Sequence, residues 1–110
     1  MNIHIVTGVV DEEPQIDREE NLFLRILTKQ INPRTNQVYN TWHTLRVIGG
    51  GKSEMIPPVK GQLITAQGQV QYHTRQENKG SGAAHCLTHC FPGNVEIWDD
   101  EKKALYQLNG

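Results

Sequence analysis

Two stretches of this chain of 110 residues decide its fold: TWHTLRVIG at residues 41–49 and KGQLITAQGQV at residues 60–70. In the first stretch, alternation with a period of two sets Leu45 and Val47 on one face and the polar or aromatic residues between them on the other. The second stretch contains Gly68 at a point where a small barrel must bend. Both stretches therefore predict strands of a β-barrel.

The remaining sequence adds strands and turns, with no internal repeat and no domain linker. A glycine triplet at residues 49–51 separates the third strand from the fourth, and five short strands broken in this way suit a small antiparallel barrel of the OB type. We expect one domain over residues 1–98 and a short tail over 99–110 that is helical or disordered. The predicted strands cover residues 2–10, 22–28, 38–48, 62–72 and 83–90, with a brief return to extended structure at 95–98.

Length and composition limit the class of protein. The chain fits one compact domain, and it contains no apolar run of membrane-spanning length and no basic-then-apolar signal segment. The two cysteines, Cys86 and Cys90, are too close on one predicted strand to bridge without sharp bending. We therefore expect a cytoplasmic protein without membrane contact.

The charge is unevenly distributed along the chain. The formal net charge is −1, yet residues 11–20 hold six acidic residues against one arginine, whereas residues 21–98 hold eight basic residues against three acidic ones. The acidic stretch contains a proline and reads as a solvated loop. A basic body with so few cations predicts polyanion binding of moderate, salt-sensitive strength.

The outward faces of two predicted strands combine rings with cations. Trp42 and Arg46 share one face, and Phe23 and Arg25 share a face of the preceding strand. Single-stranded nucleic acids bind such surfaces because bases stack on rings while phosphates seek positive charge. Trp42 could instead be half-buried between subunits, and Tyr39 could stack on a base or merely cover the core. Three loop cations are candidate phosphate contacts, with solvation as the alternative: Arg34, Arg75 and Lys79.

Catalytic and metal-binding patterns are weak. The stretch HCLTHC carries His85, Cys86, His89 and Cys90, which are zinc-type ligands. On a regular strand the histidines point to one side and the cysteines to the other, so they cannot close one tetrahedral site. We expect no metal, no cofactor and no enzymatic activity, since neither a phosphate-binding loop nor a nucleophile motif is present.

Three motifs in order give the chain a family resemblance. VTGVV at residues 6–10 precedes DEEP at 11–14, WHTLRVIG spans 42–49, and the Lys-Gly strand with its internal glycine spans 60–70. Over roughly residues 2–98 the chain resembles the bacterial-type single-stranded DNA-binding proteins of the OB fold. The order of the three motifs along the chain makes the match more specific than any one of them.

The resemblance implies a function and several residue roles. Trp42 would be a base-stacking platform, and His43 would make a subunit contact in a dimer or tetramer. One strand would carry further DNA contacts through Gln71, His73 and Arg75. The implied function is binding of single-stranded DNA, largely without sequence preference, to protect it during replication, recombination or repair.

The chain also departs from the family pattern. Residues 31–37 contain no aromatic residue, Ile48 stands where an aromatic is frequent, and the chain lacks the acidic tip ending in Pro-Phe. These losses resemble a phage or plasmid version of the family, or a primosomal replication protein. The main alternative is therefore an accessory module that acts through replication proteins and binds DNA weakly. A zinc-dependent domain is a third, weaker reading.

Overall fold

The computed structural model describes residues 2–74 and 84–109, and for residues 72–74 and 84–86 it describes the backbone alone. Within these residues the regular secondary structure is almost entirely strand, and no helical segment could span a membrane. A 3₁₀ turn at Pro92–Asn94 lies between the sixth and seventh strands. The strands are β1 (His4–Val10), β2 (Gln15–Ile16), β3 (Leu22–Ile31), β4 (Val38–Val47), β5 (Leu63–Thr74), β6 (Ala84–Cys90), β7 (Val95–Asp99) and β8 (Ala104–Gln107).

Five of these strands close into a barrel. The pairing order is β1-β3-β4-β6-β5, and β1 closes the ring because it pairs with both β3 and β5. The predicted five-stranded OB barrel is confirmed, but the prediction of a purely antiparallel barrel is wrong, since β4 and β6 are parallel. Strands cannot alternate in direction all the way around a closed ring of five, so at least one neighbouring pair must be parallel.

Alternation fills the barrel as the sequence predicts. Leu22, Leu24 and Ile26 of β3 point inward and are almost completely buried, as are Leu45 and Val47 of β4. The core continues on the other strands with Val6, Val10, Ile64, Ala66, Cys90, Val95 and Ile97. The residues between these inward positions consequently face outward, and they supply the candidate site.

Two glycines allow the strands to approach closely enough for closure. A Cβ atom at Gly68 would lie 2.2 Å from the carbonyl oxygen of His89, and one at Gly8 would lie 2.4 Å from that of Leu27. Neither position accepts a larger residue without moving a neighbouring strand, because backbone atoms occupy the space. The bend expected at Gly68 is thus a point of contact between β5 and β6.

The last strand was not predicted. β8 pairs with β7, and the following Leu108 is 2% exposed and belongs to the hydrophobic core. The expectation of a helix or disorder for this stretch is wrong in residues 104–108. Only Tyr106 and Leu108 point toward the barrel, and the exposed Leu105 between them hides the alternation.

We expect Leu108→Ala to lower the free energy of unfolding by about 2–5 kcal/mol, because a buried leucine side chain is replaced by a cavity. Leu105→Ala is the matched control: Leu105 is 52% exposed, and its loss should change stability by no more than about 0.5 kcal/mol. Urea denaturation followed by circular dichroism measures both values. Equal stabilities would contradict the packing of residues 104–108 on the barrel.

Candidate functional site

The outward residues of β3, β4, β6 and β5 form one continuous surface, which we call the outer face. Strand register places its residues in rows that cross the strands. One row runs through Phe23, Arg46, His89 and Gln69, and the next through Arg25, Thr44, Leu87 and Gln71. In a third row, Leu27 lies opposite Trp42. The hairpin therefore pairs as required to bring both aromatic residues and both arginines onto the same surface.

Trp42 is 48% exposed and lies against Arg25. The guanidinium carbon of Arg25 is 5.2 Å from the centre of the indole ring, within the range of a cation–π interaction. The indole Nε1–H donates a hydrogen bond of 2.8 Å to the Oδ2 atom of Asp11. These two contacts hold the ring at the surface and leave part of it open to solvent.

A second ring and cation lie in the next part of the outer face. The guanidinium carbon of Arg46 is 6.0 Å from the centre of the Phe23 ring. The Arg46 side chain is 30% exposed, but its Nε atom is buried and has no hydrogen-bond partner among the described residues. A buried donor of this kind normally finds an acceptor, and guanidinium groups suit carboxylate or phosphate oxygens.

Residues 11–20, which we call the acidic segment, contact this surface directly. Glu12 forms an ion pair of 2.7 Å with Arg25, and Glu19 lies 3.7 Å from Arg46. Together with Asp11 on Trp42, acidic side chains thus reach both arginines and the tryptophan. The solvated loop expected from the sequence includes none of these contacts. The sequence feature that indicates such contacts is the concentration of acidic residues in the segment directly before β3, the strand that carries Phe23.

The acidic segment has a defined conformation. The Oδ1 atom of Asp17 accepts hydrogen bonds of 2.9 Å from the backbone N–H groups of Glu19 and Asn21. The bond from Asn21 is the largest cause of a lowered pKa for the Asp17 carboxyl. Asn21 is itself buried and accepts a bond of 3.0 Å from the N–H of Gly49. The segment is therefore tied to the end of β4.

The other predicted binding residues are more scattered. Gln71 lies on the outer face, whereas Arg34 lies in the turn between β3 and β4. Tyr39 is exposed but lies on the other face of β4 from Trp42, and its hydroxyl donates a 2.8 Å hydrogen bond to Oε1 of Gln30. His73 belongs to β5, with its side chain outside the described residues. Arg75 and Lys79 also lie outside the described residues.

His43 lies in a polar layer on the inner face, toward one end of the barrel. Its ring centre is 5.5 Å from that of His4, and its Nε2 atom is 3.4 Å from the hydroxyl of Thr28. The Nδ1 atom of His4 lies 2.7 Å from the hydroxyl of Thr88. Burial lowers the pKa of His43, and the neighbouring His4 lowers it further. The subunit contact expected for His43 stays a prediction.

The cysteine–histidine stretch follows the predicted alternation at its end. Cys90 is buried in the core, and burial raises the pKa of its thiol to about 11, while His89 lies on the outer face. The side chains of His85 and Cys86 lie outside the described residues. In the part of the chain that the structure describes, no cluster of three acidic, histidine or cysteine side chains is placed to hold a metal ion.

Comparison with known proteins shows the fold. No protein-family model and no curated protein sequence matches the chain. Among solved structures, the chain is similar to a Plasmodium falciparum SSB in complex with ssDNA, with a TM-score of 0.67 and 16% identity over 88% of this chain and 92% of that one.

Two further structures are similar. The single-stranded DNA-binding protein from Thermus aquaticus gives a TM-score of 0.64 and 14% identity over 93% of this chain and 52% of that one, so this chain corresponds to about half of it. The dimeric N-terminal domain of PriB from Thermoanaerobacter tencongensis gives 0.52 and 11% identity over 90% of this chain and 98% of that one. The protein has an SSB-like OB fold.

We expect the protein to lose stability as the pH falls below the ordinary pKa of histidine, about 6.5. Because the pKa of His43 is lower in the folded state, the unfolded state binds its proton first, and the stability present at neutral pH is lost toward acid. His43→Gln should make the free energy of unfolding less dependent on pH in this window. Parallel curves for the two proteins, measured by urea denaturation between neutral and mildly acidic pH, would contradict this role.

Proposed function

We propose that this protein binds single-stranded DNA through the outer face, largely without sequence preference. The observation that carries the proposal is the pairing of a ring with an arginine at two neighbouring places, Trp42 with Arg25 and Phe23 with Arg46. Stacking on a ring is tolerant of sequence because every base has a π face, and it contributes about 1–3 kcal/mol per base. The two arginines supply the positive charge that the backbone requires.

Each group has a distinct part in this proposal. A base stacks on the exposed portion of Trp42, and a second base packs over Phe23. Arg25 and Arg46 donate to phosphate oxygens, and the Nε–H of Arg46, which has no acceptor among the described residues, gains one. Contacts to phosphates carry no sequence information, so this arrangement favours binding over discrimination.

The acidic segment must release the arginines before phosphates can take their place. Glu12 and Glu19 are 53% and 79% exposed, and ion pairs at such exposure contribute roughly 0–1 kcal/mol each. DNA can therefore displace them at a small cost, which lowers affinity without blocking the site. This competition, together with the net charge of −1, favours binding that is moderate and strongly dependent on salt.

In the cell, such a protein would be a non-enzymatic, cytoplasmic and nucleoid-associated factor that covers exposed strands during replication, recombination or repair. Self-association as a dimer or tetramer would lengthen the track that one small barrel offers, and His43 is the candidate subunit contact. The structure of the Plasmodium falciparum SSB with ssDNA supports the ligand, and the dimeric PriB domain supports self-association.

A second candidate function is that of a primosome-type accessory module, whose main partner is another replication protein. The specific observation in its favour is the acidic segment, which contacts both arginines of the outer face. Likeness to the PriB domain also agrees with it. This function requires weak DNA binding and a stable complex with a replication protein.

The first test is fluorescence titration with oligo(dT), using two variants that each keep one of the two tryptophans. In Trp98→Phe the signal comes from Trp42, and we expect strong quenching that weakens as salt is added. In Trp42→Phe the signal comes from Trp98 on β7, and it should change little. Trp42→Ala should weaken binding by about 5- to 150-fold, the equivalent of about 1–3 kcal/mol.

Two outcomes would contradict the proposal. If oligo(dT) quenches neither variant and shifts no band at low salt, the protein does not bind single-stranded DNA, and pull-down with replication proteins tests the accessory function. Quenching of Trp98 in place of Trp42 would show that the DNA binds to another surface of the barrel.

The second test removes the competition from the acidic segment. We expect the double variant Glu12→Gln/Glu19→Gln to bind oligo(dT) about 2- to 10-fold more tightly at low salt, because both arginines are released from surface ion pairs. The control Glu54→Gln/Glu101→Gln changes the net charge equally, at two exposed carboxylates outside the acidic segment. Equal gains in both variants would attribute the effect to net charge alone.

A further inference from the structure

A groove of about 340 Å³ lies at one end of the outer face, with which it shares Gln69, Gln71 and His89. Its apolar wall consists of Ile3, Ile48 and Phe91, which are 52%, 37% and 60% exposed. Amide side chains also line the groove, among them those of Gln67, Gln69 and Asn94. An exposed phenylalanine beside two partly exposed isoleucines forms an apolar patch, and such patches are typical of binding sites.

Strand register joins this groove to the outer face. Arg46 of β4 lies beside His89 of β6, and both strands run in the same direction. Two residues further on, Ile48 and Phe91 follow with the same outward parity, and the N–H of Ile48 donates a 2.9 Å hydrogen bond to the carbonyl of Cys90. Ile48 directly follows β4 and lies six positions after Trp42 along the chain, which corresponds to about 20 Å of extended backbone. A single strand of DNA that crosses these rows from Trp42 therefore passes Arg46 and then reaches the groove.

The backbone at Phe91 is held in one extended conformation. Phe91 precedes Pro92, which restricts it to extended conformations, and it has φ −112° and ψ 156°. Its carbonyl accepts a 2.9 Å hydrogen bond from the N–H of Asn94 at the 3₁₀ turn. Little backbone freedom therefore remains to be lost at Phe91 when a ligand stacks on its ring.

The lining selects the kind of ligand. The described residues around the groove include no lysine, arginine, aspartate or glutamate, so the groove offers a phosphate none of these charged partners. Amide side chains donate and accept hydrogen bonds, as the edges of nucleobases do. A neutral, flat and polar-edged group is thus better matched to this groove than the charged backbone that Arg46 would hold nearby.

We propose that this groove is a second base-binding subsite, in which Phe91 stacks on an unpaired base of the strand that crosses Arg46. The inference rests on the proposed function and adds to it a base contact at Phe91. In this arrangement Phe91 supplies, from the turn after β6, an aromatic surface next to the aliphatic Ile48 at the end of β4. The strand then has rings at both ends of its path and arginines between them.

The test compares Phe91→Ala and Phe91→Leu with the matched control Ile56→Ala, an exposed apolar residue that lies outside the groove. The probe is oligo(dT) of about 16 nucleotides, the upper end of site sizes for one OB fold. We expect Phe91→Ala to bind about 5- to 150-fold more weakly, Phe91→Leu to recover only part of the loss, and the control to match the wild type. Oligonucleotides carrying 5-iodouracil should also form a photo-crosslink to Phe91.

Sedimentation measurements on the same proteins separate this inference from its alternatives. A loss of affinity without a change in sedimentation, together with the crosslink, supports the subsite. Wild-type affinity in Phe91→Ala overturns it while leaving the proposed function intact. A loss of affinity that accompanies dissociation of an assembly overturns it as well, because the groove is then a contact between copies of this chain. Failure of the wild type to bind oligo(dT) overturns both proposals.

Discussion

Closure of the five-stranded ring is the constraint on which the rest of the structure depends. β1 must pair with β3 on one side and with β5 on the other, and the strands must approach closely where Gly8 and Gly68 lie. Once the ring is closed, alternate side chains are committed to the interior, and the intervening ones are aligned in rows on the outside. The candidate site is therefore a consequence of the same pairing that builds the core.

The outer face balances attraction with internal competition. Arg25 and Arg46 each lie against a ring, and each is also reached by a carboxylate from the acidic segment. Because Asp17 and Asn21 hold this segment by hydrogen bonds, the carboxylates stay near the arginines. In the proposed binding mode these carboxylates would compete with phosphates for the arginines and so limit the affinity.

Much of the fold could be predicted from local pattern. The inward set on β3 and β4 was readable from alternation, as was the outward placement of Trp42 and Arg46. β8 was not readable, because four residues with an exposed leucine among them show no clean period of two. The parallel pairing of β4 with β6 was implied by the odd number of strands, although no single segment carries that information.

By itself, the sequence determined which residues alternate, where the chain turns and which side chains share a strand face, because these properties depend on neighbours along the chain. Tertiary structure decided which strand faces lie side by side. It placed Glu12 on Arg25 across thirteen residues and Asp11 on Trp42 across thirty-one, and it set Phe91 beside Ile48. Such contacts depend on closure of the barrel and on the path of the acidic segment. The local alternation of side chains determines neither of these.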